Sequence, residues 1–188
     1  MAVLHDATLR PTKQELLAEW VPRQAWYPSD EADFEILGRF RFDDPAGEVG
    51  TETFLLGRPD GGVFHVPLTY RGAPLDEPGA VLIGTMEHSA LGSRWVYDGA
   101  TDPVYLAAVA EAIRTGGHEA AQYVQHADGS TTEVPSTARA EGRPGAGSGR
   151  RLELRRALID GEHGPDAAVL VVTWDAHPDP AVLAELTD

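Results

Sequence analysis

"EHSALGSRWVYDGATDPVYLAAVAEAIRT", residues 87–115, holds two short alternating segments around "SALG", then the clearest helix start in the chain. Asp102 is an N-cap residue, Pro103 suits the first helical position, and Gly116–Gly117 ends the pattern. Leu106, Val109, Ala110 and Ile113 recur at helical spacing and predict one buried stripe. "AVLIGTMEH" upstream pairs with "SRWVY" as a hairpin, so a meander of strands runs into a helix. That order predicts an α+β fold with an antiparallel sheet rather than a doubly wound nucleotide-binding fold.

Further upstream the same alternation continues. "TETFLLG" (51–57) and "VFHVPLTY" (63–70) read as strands joined by the hairpin signal "RPDGG". Pro67 cannot donate to a ladder, which predicts an edge or a bulge. From Phe34 the period is two: Phe34, Ile36, Phe40 and Phe42 are expected on one face, with Glu35, Arg39 and Arg41 on the other. A first helix begins after Thr12, which forms a capping box with Glu15 and leads into Leu16, Leu17, Trp20 and Val21. Downstream, "EAAQYVQHADGSTTEVP" predicts a hairpin across Asp128–Gly129. Residues 136–150, rich in Gly, Ala, Ser and Arg, read as a mobile loop. "LELRRALI" and "AAVLVVTW" are closing strands, and Asp179–Pro180 is expected to start a short C-terminal helix.

Composition narrows the function. The chain has 188 residues, 42% of them apolar, with no cysteine and a formal charge of −15. Disulfides, thiolate metal sites and cysteine nucleophiles are thereby excluded. The charge argues against nucleic acid, and no apolar run reaches the roughly 20 residues of a membrane helix. The N-terminus lacks a signal-peptide pattern, so a cytoplasmic location is expected. There is no P-loop, GxGxxG after a strand, HExxH or GxSxG, and no cofactor is expected. The seven histidines show no i, i+4 pairing, so no metal is expected either.

Residues 87–98 nonetheless have the residue types of a site. Ser89, His88 and Asp98 do not make a triad, because adjacent Ser and His on a strand-to-turn segment cannot readily share the required hydrogen bond. The functional reading is a binding face in which Glu87, Arg94 and Tyr97 converge if the strands pair, joined by Tyr70 and Arg71. The competing reading has Trp95 and Tyr97 packing across strands while the charges face water.

"LLAEWVPRQAWY" (16–27), "GEVGTE" (47–52), "VPLTYRGAPL" (66–75) and "LIGTMEHSALGSRWVYDGATDPVY" (82–105) together resemble the N-terminal cap of bacterial maltokinases and of related glucosamine kinases. The resemblance spans roughly residues 10–116 and is strongest to stand-alone cap-like proteins, sometimes labelled 1,4-α-glucan branching proteins. It implies a cystatin-like α+β region over 1–118, with a curved antiparallel sheet and flanking helices. Residues 119–188 are then a β-hairpin extension packed as one unit with it. It also implies a setting in α-glucan, trehalose or amino-sugar metabolism, with a sugar kinase, an α-glucan enzyme or a small sugar as partner. The phosphotransfer residues of those kinases lie outside the cap, so no catalytic residue is carried over. A non-catalytic binding or regulatory role is expected. The alternative is a small acid–base enzyme acting on a carbohydrate through Glu87 or Asp98.

Overall fold

The computed structural model describes all residues except 1, 6, 126–129, 147–148, 159–163, 165 and 176, and of residues 2–5 the backbone alone. Along the chain lie β1 (Ala2–His5), β2 (Leu9–Arg10), α1 (Lys13–Trp20), β3 (Glu35–Phe40), β4 (Gly50–Gly57) and β5 (Val63–Arg71). After them come β6 (Leu82–His88), β7 (Gly92–Asp98), a 3-10 turn (Gly99–Thr101) and α2 (Pro103–Thr115). Among the described residues the later elements are strands: β8 (Gln122–Gln125), β9 (Thr131–Val134), β10 (Ala138–Arg143), β11 (Arg151–Leu154), β12 (Ala157–Leu158), β13 (Ala168–Trp174) and β14 (His177–Thr187).

The first sheet is curled and runs β2-β6-β7-β5-β4-β3, with β12 also on β5. Both of its faces are covered. Helix α1 buries Leu16, Leu17 and Trp20 against Phe54, Leu56, Val66, Leu68, Met86 and Val96. On the opposite face Phe40, Phe42 and Leu55 pack against Tyr105, Val109 and Ile113 of α2. A second sheet, β10-β13-β14-β11, closes the far side of α2 with Ala138, Ala140, Leu170, Val172 and Leu183. The layers are therefore helix, sheet, helix, sheet, and α2 is the shared centre. The α+β class and the curved sheet expected from the sequence are both present. A third, small sheet pairs β1 in parallel with β8, which pairs with β9.

Four local expectations need correction. The face assigned to Phe34, Ile36, Phe40 and Phe42 is split by an irregularity between Ile36 and Gly38. One added residue reverses every side chain beyond it. Phe34 therefore joins the α1 core, Phe40 and Phe42 join the α2 core, and Ile36 is left 41% exposed. Pro67 is on neither an edge nor a bulge, since β5 has β4 along one side and β12 and β7 along the other. The His65 N–H donates to the Arg156 carbonyl on the β12 side. Pro67, two residues on, faces the same way, between the last β12 partner and the first β7 partner, where no donor is needed.

Within the segment 136–150 expected as a mobile loop, residues 138–143 form a paired strand instead. β10 occupies 138–143 and pairs with β13, and Ala138, Ala140 and Gly142 are buried against α2. Small residues are what this position requires, because a Cβ on Gly142 would lie 1.9 Å from the Ala112 carbonyl oxygen. Gly142→Ala is expected to destabilise the fold by about 2–3 kcal/mol through forced separation of strand and helix. A lower denaturation midpoint at unchanged slope would show it. The C-terminal helix is also absent. "DPAVLAEL" is part of β14, whose Ala181, Val182, Leu183, Ala184 and Leu186 are buried between β13 and β11. Sheet pairing overrides the helical preference of Ala, Leu and Glu, and Pro180 falls where the β13–β14 register is interrupted. The hairpin expected across Asp128–Gly129 is present as β8–β9, but that turn itself lies outside the described residues.

Candidate functional site

Antiparallel pairing sorts the candidate residues by face. β6 and β7 pair as expected, with Met86 opposite Arg94 and Glu87 opposite Ser93. β5 and β7 place Tyr70 opposite Val96 and Thr69 opposite Tyr97. Paired residues share a face and neighbours along a strand alternate. Tyr70 and Arg94 therefore lie on the α1 side, while Arg71, Glu87 and Tyr97 lie on the α2 side. The convergence of Glu87, Arg94 and Tyr97 does not occur.

The α2-side residues have structural partners. Arg71 grips Asp102 through two hydrogen bonds of 2.7 and 2.6 Å. The same carboxylate accepts from the Thr69 hydroxyl at 2.6 Å and from the Val104 N–H at 2.9 Å, as the cap of α2. Burial alone would push the Asp102 carboxyl up, but Arg71 and Thr69 outweigh it and hold its pKa below the usual value. The Tyr97 hydroxyl accepts from the Leu75 N–H at 2.8 Å. Glu87 is exposed and accepts from the Ser93 hydroxyl at 2.7 Å. Trp95 is half-buried and lies outside both cores. Asp98 is ion-paired with Arg156 and caps the 3-10 turn through the Ala100 N–H.

A buried polar chain runs beside Asp98. His65 Nδ1 lies 3.1 Å from the Arg155 carbonyl, and its Nε2 lies 3.0 Å from the Tyr105 hydroxyl. Burial and the nearby Arg156 push the His65 pKa down to about 3, so the ring is neutral at pH 7. A carbonyl only accepts, so Nδ1 carries the proton, Nε2 accepts from Tyr105, and Tyr105 accepts from Thr53 at 2.9 Å. Every member of this chain is satisfied. It ties the β11–β12 connection to β4, β5 and α2.

On the α1 side the arrangement is different. Glu52 on β4 is buried, with a side chain only 2% exposed. Lys13, the first residue of α1, forms an ion pair with it, Arg41 Nη2 lies 3.1 Å away, and Arg39 Nη1 lies 3.7 Å away. The Tyr70 hydroxyl donates to the same carboxylate at 3.1 Å, and Lys13 Nζ sits 5.3 Å from the Tyr70 ring centre. Burial would raise the Glu52 pKa, but Arg41 and Lys13 reverse this and hold it below the usual carboxylate range. Burial lowers the Lys13 pKa by more than Glu52 restores. Tyr70, buried at its hydroxyl end and next to Glu52, is pushed well above an ordinary phenol.

These residues edge a cleft of about 730 Å³ between the start of α1, the 41–51 connection and the β6–β7 hairpin. Lys13, Arg41, Tyr70, Met86 and Arg94 line it, with the exposed Asp43 and Glu48 at its mouth. Of the five candidate binding residues, only Tyr70 and Arg94 reach it. Sequence reading missed Lys13, Arg41 and Glu52. Arg39 and Arg41 had been placed on a polar strand face, where alternation alone looks like solvent exposure. The signal that could have found them is a lone glutamate inside an apolar strand, facing a cationic strand. A second cavity of about 670 Å³ beside β8–β9 and β10 has mostly exposed charged groups, such as Arg139 and Glu141. Among the described residues no group of three or more His, Asp or Glu could hold a metal ion, and no helix is long and apolar enough to cross a membrane.

The fold around the cleft is α+β: a curled antiparallel sheet with a helix on each face. Residues 20–102 match the family model of the maltokinase N-terminal cap domain, so the resemblance read from the sequence holds over that segment. The match runs from the end of α1 to the cap of α2 and takes in Tyr70, Arg94 and Glu52. A comparison with curated proteins finds no match.

Proposed function

We propose that this chain is a non-catalytic, cap-like binding or regulatory module of α-glucan, trehalose or amino-sugar metabolism, working in the cytoplasm. The observation that carries the proposal is the match of residues 20–102 to the maltokinase cap, a segment that supplies most of the cleft lining. The state of the carboxylates supports it. A general acid or base needs a group free to exchange a proton near neutral pH. Asp98 is engaged by Arg156, Asp102 by Arg71, and Glu52 by three cations. Glu87, the other residue of the enzyme alternative, sits on an exposed strand surface rather than in the cleft. The partner in this reading is a sugar kinase or α-glucan enzyme, or a small sugar ligand.

Purified protein incubated with ATP, magnesium and maltose or glucosamine is expected to release no ADP above a protein-free blank. With a soluble α-glucan it is expected to produce no new reducing ends. Sustained turnover of either kind overturns the non-catalytic reading.

A further inference from the structure

From the cleft beneath α1 we infer a specific ligand class: a phosphate monoester carried on a sugar-sized body. The inference rests on the binding-module reading and assigns its site. It begins with a local imbalance. Lys13, Arg39 and Arg41 share the single carboxylate of Glu52, and Arg94, on the same side of the cleft, has a carbonyl partner, Leu91, at 2.5 Å. Three of the 15 basic residues of a chain with charge −15 thus share one carboxylate, and a fourth, Arg94, lines the same cleft.

Acceptors are in deficit as well. Arg41 and Arg94 both line the cleft, and each has a buried Nε–H with no hydrogen-bond partner among the described residues. Buried donors are ordinarily satisfied. Guanidinium forks match the oxygens of a phosphate group, and an ammonium adds point charge beside them. Lys13 is 22% exposed and Arg41 12%, which leaves both reachable from the cleft yet poorly screened.

The acidic residues of this cleft lie apart from its cationic end or are already engaged. Both Asp44 oxygens accept backbone N–H groups, from Ala46 on one and from Glu48 and Val49 on the other. Asp43 and Glu48 are exposed at the mouth, where water screens their charge. Carboxylates there accept hydrogen bonds from hydroxyl groups. A ligand with its anionic end among Lys13, Arg41 and Arg94 and hydroxyls toward Asp43 and Glu48 meets both chemistries. A volume of about 730 Å³ accommodates a sugar phosphate.

Isothermal titration with glucose 6-phosphate, inorganic phosphate and glucose tests this. Glucose 6-phosphate is expected to bind about tenfold or more tightly than either of the others, and to weaken as NaCl is raised. Arg94→Ala, which removes no ion pair among the described residues and one hydrogen bond to a carbonyl, is expected to weaken it about tenfold while leaving the melting temperature close to wild type. Arg41→Ala is expected to weaken it further, and Arg114→Ala, on the exposed side of α2, to change it less than about twofold. No binding of glucose 6-phosphate at 10 mM (about the weakest binding worth detecting) overturns the inference. So does equal affinity for glucose or inorganic phosphate, or undiminished affinity in a folded Arg94→Ala variant. None of these outcomes bears on the non-catalytic reading, which fails only by turnover of ATP or glucan.

Discussion

Glu52→Ala is expected to be among the most destabilising single substitutions in this protein, costing about 3–5 kcal/mol. The carboxylate is buried beside the start of α1 and is the common partner of Lys13, Arg39, Arg41 and the Tyr70 hydroxyl. Its removal leaves like charges facing one another with no counter-ion. Arg39 is half exposed and can return to water, so the lower part of that range is the better expectation. Glu52→Gln keeps the shape and the Tyr70 bond but removes the charge, so most of the loss should persist. The pH dependence has a definite sign. The folded pKa of Glu52 lies below its ordinary value of 4.5, so its contribution is complete above that value. It is lost as pH falls through the folded value. Denaturant melts between pH 7 and pH 3 should show wild type losing more stability than Glu52→Gln over the acid limb. Parallel curves would mean the carboxylate does not hold this cluster together.

Asp102→Ala should cost about 3–4 kcal/mol, well above the roughly 1 kcal/mol of a lost helix cap. The difference is Arg71. The substitution leaves a largely buried guanidinium and the Thr69 hydroxyl without their acceptor, in addition to freeing the Val104 N–H. Asp102→Asn retains the capping oxygen but not the charge, and should recover about 1 kcal/mol. A double-mutant cycle with Arg71→Ala separates the two parts, and a coupling of about 1.5 kcal/mol or more is expected. If Asp102→Ala costs no more than a cap and the cycle shows no coupling, the ion pair is structurally idle. In the acid limb Asp102 has the same sign as Glu52, because its folded pKa is also held down.

The two sites differ in how far local sequence reveals them. "TDPVY" announces an N-cap, since Asp followed by Pro at a helix start is local backbone chemistry. The bidentate partner of that Asp lies 31 residues upstream on β5, and no local pattern points to it. Glu52 is harder still. Its cations come from α1 and from β3 and the stretch after it, and only the packing of α1 onto the sheet brings them together. Of the residues chosen on type, Tyr70 and Arg94 line the cleft, whereas Arg71, Glu87 and Tyr97 lie on the opposite face.

Sequence by itself determined the elements whose causes are local: the Thr12–Glu15 capping box, the Asp102–Pro103 helix start, the β4–β5 and β6–β7 hairpins, and hence the α+β class. Tertiary structure decided whatever depended on a distant partner. β10 is a strand because its small residues fit against α2, although its composition resembles a linker. "DPAVLAEL" is a strand because β13 and β11 satisfy its backbone on both sides, although its propensity is helical. The displacement between Ile36 and Gly38 sends Phe40 and Phe42 to a different core from Phe34. Caps and tight turns are settled within a few residues, where propensity and side-chain hydrogen bonds act. Face, register and charge pairing are settled by burial, and burial exists only once the layers have met.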